Sequence, residues 1–486
     1  MTIRQLPVDT IEELVPLLRA RKLSPVEVTQ ACLDRIEAFG PRLNAYVTVL
    51  AEQARAQARD AERALTRGEV RGPLHGVPVS VKDVFRTKGI PTTWGAKELD
   101  GYVPDDDATV VVKLREAGAI LLGKVNVDSY GPETPRLIGD TRNPWDPERM
   151  AGMSSGGSGA AVAARLDYGS IGSDTGGSVR LPAALCGIVG LKPTFGLVSN
   201  HGAYPYSRTF DCCGPLARSA YDAALLLTAI AGHDPHDPST VDRPVPDFTR
   251  GLDEPVRGLR AGVPRAAAWQ YTHPDVARLV DDAVTVLAGL GMEMREIDLP
   301  YLHDVRWMGV VTFFEATSLV EAMLPSPPPS DRYAAHLAAR TAVARQRLMR
   351  QGEHLRELVR AHLMEVFREV DLIVMPTVSA TATRLVDAGV RFPWARPEEL
   401  PFEFVARLTR IFNAAGCPAI TVPCGFASDG MPAGLQIAGR SFEEAAVLRA
   451  ARAYQRETDW HRRVPGLGDV AGGDPGGDRS GRTRAG

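Results

Sequence analysis

Three times in this chain an amphipathic run of helical period gives way, within a few residues, to a short apolar run of strand type. ATVVVKLREAG precedes AILLG, HPDVARLVDDAVTVLAGLG precedes MEMREIDL, and EVFREV precedes DLIVMP. No other feature constrains the fold as strongly, because helices that alternate with strands pack back over the sheet they connect. The pattern predicts an α/β protein: a single large domain with a mixed, mainly parallel sheet covered by helices on both faces. A further strand is expected in LHGVPVSVKDVF, where Val77, Val79 and Val81 alternate with Pro78, Ser80 and Lys82. The alternation puts Lys82 opposite the valines, near the strand end.

Length alone suggests about three domains for 486 residues. Residues 1–467, however, hold no Gly/Ser/Pro linker and no repeat of solenoid spacing, so one domain is expected there. Its first 70 or so residues read as helical. Ser24-Pro25-Val26-Glu27 joins a capping Ser and Glu to a proline at the first helical position, and AEQARAQARDAERALTRG stops at Gly68. Pro-rich LPSPPPSD interrupts the helical stretch of 305–370 as a surface loop. Residues 468–486, rich in Gly, Asp and Arg without apolar periodicity, are expected to form a disordered tail.

Composition narrows the function. The 56 Lys+Arg against 59 Asp+Glu leave a charge of -3, which offers no field for a nucleic acid or an anionic membrane. The longest apolar stretch, near 223–232, is far short of the roughly 18 residues of a membrane span. MTIRQLPVDTIEEL lacks a signal peptide's apolar region, so a cytoplasmic protein is expected. The six cysteines form no CxxC or Cys/His cluster of metal spacing and read as reduced thiols. Cys186, Cys417 and Cys424 read as packing residues, and the adjacent Cys212 and Cys213 either touch substrate or fill space.

Serine and glycine concentrate at residues 150–194, MAGMSSGGSGAAVAARLDYGSIGSDTGGSVRLPAALCGIVGLKPT. Glycine lets backbone amides approach a reacting atom without side chains in the way. If the N–H groups of Thr175, Gly176, Gly177 and Ser178 converge, they can hold the oxyanion of a tetrahedral intermediate, with Ser178 as nucleophile. Asp174 and Arg180 read as supports that hold this loop. None of the ten histidines has a telling context for a base, and His461 reads as a surface residue of the last helix. A desolvated lysine can serve instead, and Lys82, between Val81 and Val84, has the best environment. The alternative is an ordinary solvated strand-end lysine. Gly152 to Gly156 also fits G-x-S-x-G, which would make Ser154 the nucleophile, although the segment before it does not read as a strand. Residues 118–125 nearly spell a P-loop, but Val125 replaces the Ser/Thr, and a core strand fits better.

These motifs, in order along the chain, resemble the amidase signature family: LSPVEVTQACLDRIEAFGPRLNAYVTVL, GPLHGVPVSVKD, TRNPWD, SSGGSGAAVAA, GSDTGGSVRLPAALCGIVGLKPT, GLRAGVP, PAITVPCG and PAGLQIAGRSFEEAAVLRAARAYQRETDWHRR. The resemblance implies hydrolysis of a small-molecule carboxylic acid amide, with Lys82 as base, Ser154 as bridging serine and Ser178 as acyl-accepting nucleophile. It implies an oxyanion hole of the amides of 175–178, no metal or organic cofactor, and a possible homodimer. Two departures bear on the site. Met153 stands where the family carries glycine before a cis peptide bond, and a non-proline cis bond costs about 3 kcal/mol. The segment near 130–135, which helps line the acyl pocket, is shorter than usual. The resemblance also covers a second role, the glutamine-hydrolysing A subunit of a tRNA-dependent amidotransferase. RFPWARPEELPFEFVARLTRIFNAAGCPAI is more similar to free-standing amidases, so a free amidase is expected.

Overall fold

A computed structural model describes residues 6–128, 137–309, 311, 315, 342–387 and 406–467. Among them, short runs rich in β-branched and small residues form eleven strands: β1 (Tyr46–Val49), β2 (Pro78–Lys82), β3 (Ile120–Val125), β4 (Gly169–Asp174), β5 (Val189–Lys192), β6 (Cys212–Ala217), β7 (Arg260–Val263), β8 (Glu293–Glu296), β9 (Leu372–Pro376), β10 (Ala419–Phe426) and β11 (Pro432–Gly439). They join one sheet in the order β1-β3-β2-β4-β6-β5-β10-β11-β9-β7-β8. The helices are α1 (Ile11–Arg19), α2 (Pro25–Leu43), α3 (Ala51–Thr66), α4 (Thr109–Glu116), α5 (Gly156–Ala163), α6 (Arg180–Cys186), α7 (Ala220–Ile230), α8 (Arg265–Ala268), α9 (Pro274–Gly289), α10 (Ala342–Glu369), α11 (Arg410–Ala415) and α12 (Glu444–Glu457).

The single mixed sheet between helices matches the expected class, but parallel pairs do not dominate it. Among the described residues the β2–β3, β2–β4, β7–β8 and β7–β9 pairs are parallel. The β1–β3, β4–β6, β5–β6, β5–β10, β10–β11 and β9–β11 pairs are antiparallel. Parallel ladders occupy the two wings, where α4 carries the chain from β2 to β3 and α9 from β7 to β8. At the centre the strands that come after α5 and α6 pair antiparallel with β6 and β10. Helix–strand alternation fixes the order of elements along the chain, not which strands become neighbours.

Two glycines on β4 show both faces covered. A side chain at Gly169 would strike Leu226 of α7, and one at Gly172 would strike Ser155, next to α5. Three residues apart on a strand, they point to opposite faces. On β11, Gly434 likewise abuts Ala184 of α6, and Gly439 abuts Val447 of α12. Consequently every residue of β2 is buried, valines and polar residues alike. The period-2 alternation of β2 therefore marks two buried faces, not one wet and one dry.

Local signals hold in the helical amino-terminal region. Ser24 Oγ accepts from the amides of Val26 and Glu27 at the start of α2, and Gly68, at φ 77°, comes just after the end of α3. Among the described residues no helix is long and apolar enough to cross a membrane. The Pro-rich loop, the 130–135 segment and the 468–486 tail lie outside the described residues.

Candidate active site

Parallel pairing sets the carboxyl ends of β2 and β4 side by side, and Lys82 closes one while Ser173 and Asp174 close the other. Open α/β sheets gather ligands at such ends. Lys82 is 1% exposed. Its Nζ lies 2.7 Å from Ser154 Oγ and 2.9 Å from Ser173 Oγ. Burial brings its pKa down to about 7, although the carboxylates of Asp211, Asp174 and Asp128 pull the other way. At neutral pH a large share of this lysine is uncharged, so it can accept a proton.

Ser154 sits in the turn before α5. The Met153 carbonyl accepts from the amide of Gly156 at 2.7 Å, and the Met153 side chain packs with Leu181, Leu185 and Val378. Among the described residues every peptide bond is trans, Met153–Ser154 included. The residue bonded to Ser154 is Lys82, not a histidine, and no strand leads into Gly152, so the nucleophile-elbow pattern lacks its structural context.

Ser178 is buried in the turn that joins β4 to α6. Asp174 organises that turn: its Oδ1 accepts from the Gly177 amide at 2.7 Å and its Oδ2 from the Val179 amide at 3.2 Å. The Gly177 amide is thus engaged by Asp174 in this structure. Arg180, fully buried, pairs with the Asp174 carboxylate at 3.0 Å and donates to Gln436, Asn413 and the Thr409 carbonyl. Burial pushes Asp174 up, yet Arg180 and the Asn413 bond more than reverse this and hold it at about 2. The ion pair is the support expected of Asp174 and Arg180. Thr175 Oγ1 donates to Asp211 at 2.5 Å, and Asp211 also accepts from the amides of Tyr206 and Ser207. Burial raises Asp211 to about 6 against those bonds.

Gly177 has φ 129°, and a Cβ there would lie 2.3 Å from Thr409 Oγ1 and 2.9 Å from Leu181 Cγ. Only glycine fits. Thr409 Oγ1 in turn donates to the Gly176 carbonyl at 2.6 Å, fastening the loop before α11 to the 174–178 turn.

The structure thus brings Lys82 and Ser154 into contact and sets Ser178 in the adjoining turn. Ser173, Asp211, Thr409 and Asn413 join the site without a signal in the sequence. Ser173 was within reach: it precedes Asp174 in a strand, but its contact with Lys82 depends on the β2–β4 pairing. The lysine of the near P-loop, Lys124, is a buried partner of Asp83 at 3.0 Å and donates to the Phe85 carbonyl. All six cysteines are buried free thiols. Cys213 pairs with Ser173 across β6 and β4, and its Sγ donates to Asn200. His461, expected on the surface of the last helix, lies past α12 in a 3-10 turn and is half-buried, and burial lowers its pKa to about 4. Among the described residues no His, Cys, Asp and Glu side chains gather into a metal cage.

A family model described as Amidase matches residues 27–448. The A subunit of glutamyl-tRNA(Gln) amidotransferase from Geobacter sp. (strain M21) is 38% identical over 485 residues, covering 93% of this chain and 98% of that protein. A solved structure from work on a vestigial protein complex and the origins of an s-triazine catabolic enzyme has a TM-score of 0.83 at 32% identity, covering 92% of this chain and 98% of that one. The peptide amidase PAM, in complex with the competitive inhibitor chymostatin, has a TM-score of 0.79 at 31% identity, covering 94% and 99%. The chain belongs to the amidase signature family. It is a hydrolase acting on amide carbon–nitrogen bonds.

Proposed function

We propose that the protein hydrolyses a carboxylic acid amide through an acyl-enzyme on Ser178, with Ser154 as proton relay and Lys82 as base. The observation that carries this reading is the buried Lys82 amine, held near neutrality and 2.7 Å from Ser154 Oγ. As Ser178 Oγ attacks the carbonyl carbon, its proton passes to Ser154 and that of Ser154 to Lys82. The oxyanion forms against backbone amides of the 175–178 turn other than that of Gly177, whose N–H is bonded to Asp174. Collapse breaks the C–N bond, and the proton returns through Ser154 to the leaving nitrogen. Water then attacks the ester, gives up its proton by the same path, and releases the acid and Ser178. Ser178→Ala should abolish amide hydrolysis while leaving the fold intact, and a serine-directed fluorophosphonate should label Ser178. Turnover by Ser178→Ala, or a label on Ser154, would overturn the assignment.

The substrate divides into two readings. The likeness to the amidotransferase A subunit over 93% of this chain favours a glutamine-hydrolysing protein that hands ammonia to partners, ahead of the free-standing amidase expected from residues 391–420. Structural likeness to the peptide amidase keeps the free enzyme as the second reading. Co-purification with partner subunits, together with ammonia release from L-glutamine, supports the first. Hydrolysis of simple carboxamides by the chain alone supports the second.

A further inference from the structure

Arg410 opens α11 and lies directly over the 174–178 turn. Its Nε and Cγ are 3.3 and 3.4 Å from the point where Gly176 would carry a Cβ, so its side chain rests on the bare backbone of that glycine. Its guanidinium extends to Gly309, with Nη1 3.4 Å from the corresponding point there. Nη1 is sealed from solvent and has no hydrogen-bond partner among the described residues. A buried nitrogen without a partner is not peculiar to Arg410, since Arg218 Nη2 is another. The guanidinium groups of Arg165, Arg180, Arg218 and Arg407, however, each donate through other atoms to carboxylate, carbonyl or hydroxyl oxygens of the protein.

A guanidinium keeps its charge at any relevant pH, and a buried donor without an acceptor is unfavourable unless something supplies one. The position of Arg410 is held from two sides. Thr409 Oγ1 is bonded to the Gly176 carbonyl, and the Thr409 carbonyl accepts from Arg180 at 2.9 Å. The cation is therefore anchored to the turn that carries Ser178, two residues beyond Gly176. We propose that Arg410 is a specificity-determining residue that receives a carboxylate on the substrate, so that the protein acts on amides that also carry an acid group. A carboxylate accepts two parallel N–H bonds from a guanidinium, which neither an amide nor an alkyl end can match. The inference rests on Ser178 as the reacting serine and narrows the substrate of that site. L-Glutamine belongs to the class, as do the monoamides of short dicarboxylic acids.

Equilibrium binding tests it without requiring turnover. Ser178→Ala is titrated calorimetrically with succinamate and glutaramate and with their neutral diamides, succinamide and glutaramide. At least one acid amide should bind about tenfold or more tightly than its diamide. Arg410→Gln in that background should remove the preference, and Arg410→Lys, which keeps charge but loses the planar fork, should retain part of it. Equal binding of acid amides and diamides would overturn the proposal, as would a preference that survives Arg410→Gln. Should the glutamine variant fail to fold, an undiminished preference in Arg410→Lys would count against the proposal and a reduced one for it. If Ser178→Ala still hydrolyses amides, the nucleophile assignment fails, while the binding ratios of acid amide and diamide still judge Arg410.

Discussion

In the proposed mechanism Lys82 works only when uncharged, so its titration belongs in the rate. With its pKa brought to about 7 by burial, the neutral fraction grows as pH rises through that value. The expected kcat/KM profile therefore climbs between about pH 6 and 8 and flattens above. A rate independent of pH across that window would remove Lys82 as the base. Ser173 is a positioning residue, because its hydroxyl holds Nζ at 2.9 Å beside Ser154. Ser173→Ala should lower kcat roughly tenfold. By removing an acceptor for the charged amine it should also shift the rising limb to lower pH, which a purely structural defect would not do. The chemistry of Lys82 was legible in the sequence only as a possibility, because valine alternation cannot say whether the opposite face is wet. Helices on both faces of β2 decide it. Ser173 stayed hidden because strand pairing is a long-range property, and no local pattern records which strand lies next to β2.

Among the elements, the turn between β4 and α6 concentrates the constraints. Asp174 accepts two of its amides, Asp211 holds Thr175, and Thr409 closes over Gly176. Gly177→Ala should disrupt this turn, since the new methyl meets Thr409 Oγ1 and Leu181 at φ 129°. Activity should fall by about 100-fold or more as the amides turn away from the oxyanion, with a stability loss of roughly 1–3 kcal/mol. A crystal structure with the turn unmoved, or near-normal kcat, would refute that account. Much of this element was readable beforehand, because glycine density and the Asp174 and Arg180 pair are local in sequence. The fastening by Thr409 and Asn413 was not, since both come from a segment more than 230 residues away. The three helix–strand couplets likewise appear as α4–β3, α9–β8 and α10–β9. Their parallel partners occur only at the wings of the sheet, because pairing at the centre depends on the packing of α5 and α6.

Across the whole molecule, enclosing a sheet on both faces leaves ionisable groups in the core, and they make stability depend on pH in opposite senses. Asp167, bonded by Ser80 at 2.6 Å and by Tyr46 at 3.1 Å, is raised by burial to about 7. Below about pH 4, where an unfolded aspartate is also protonated, its contribution is fully present. As pH rises toward 7 the unfolded chain ionises while the folded chain stays protonated, and that stability is lost. Burial raises Asp222 and Asp211 to about 6, and both act in the same direction. Lys82 runs the other way: between about 7 and its unfolded value near 10.4, the unfolded chain binds a proton that the folded chain lacks, so stability increases with pH. The combined contribution of these groups is smallest near pH 7, the value at which Lys82 would begin to serve as the base in the proposed mechanism. Asp167→Asn keeps a partner for Ser80 and removes the titration, so its advantage in Tm over the natural chain should widen from pH 4.5 to 7.5 and then hold constant. Lys82→Met should be inactive. Any gain in its Tm should be largest at and below pH 7 and shrink toward pH 9 as the natural chain recovers stability. Thermal melts of both variants and the natural chain across that range decide the matter, and differences that stay flat with pH would show that neither group titrates within the folded core.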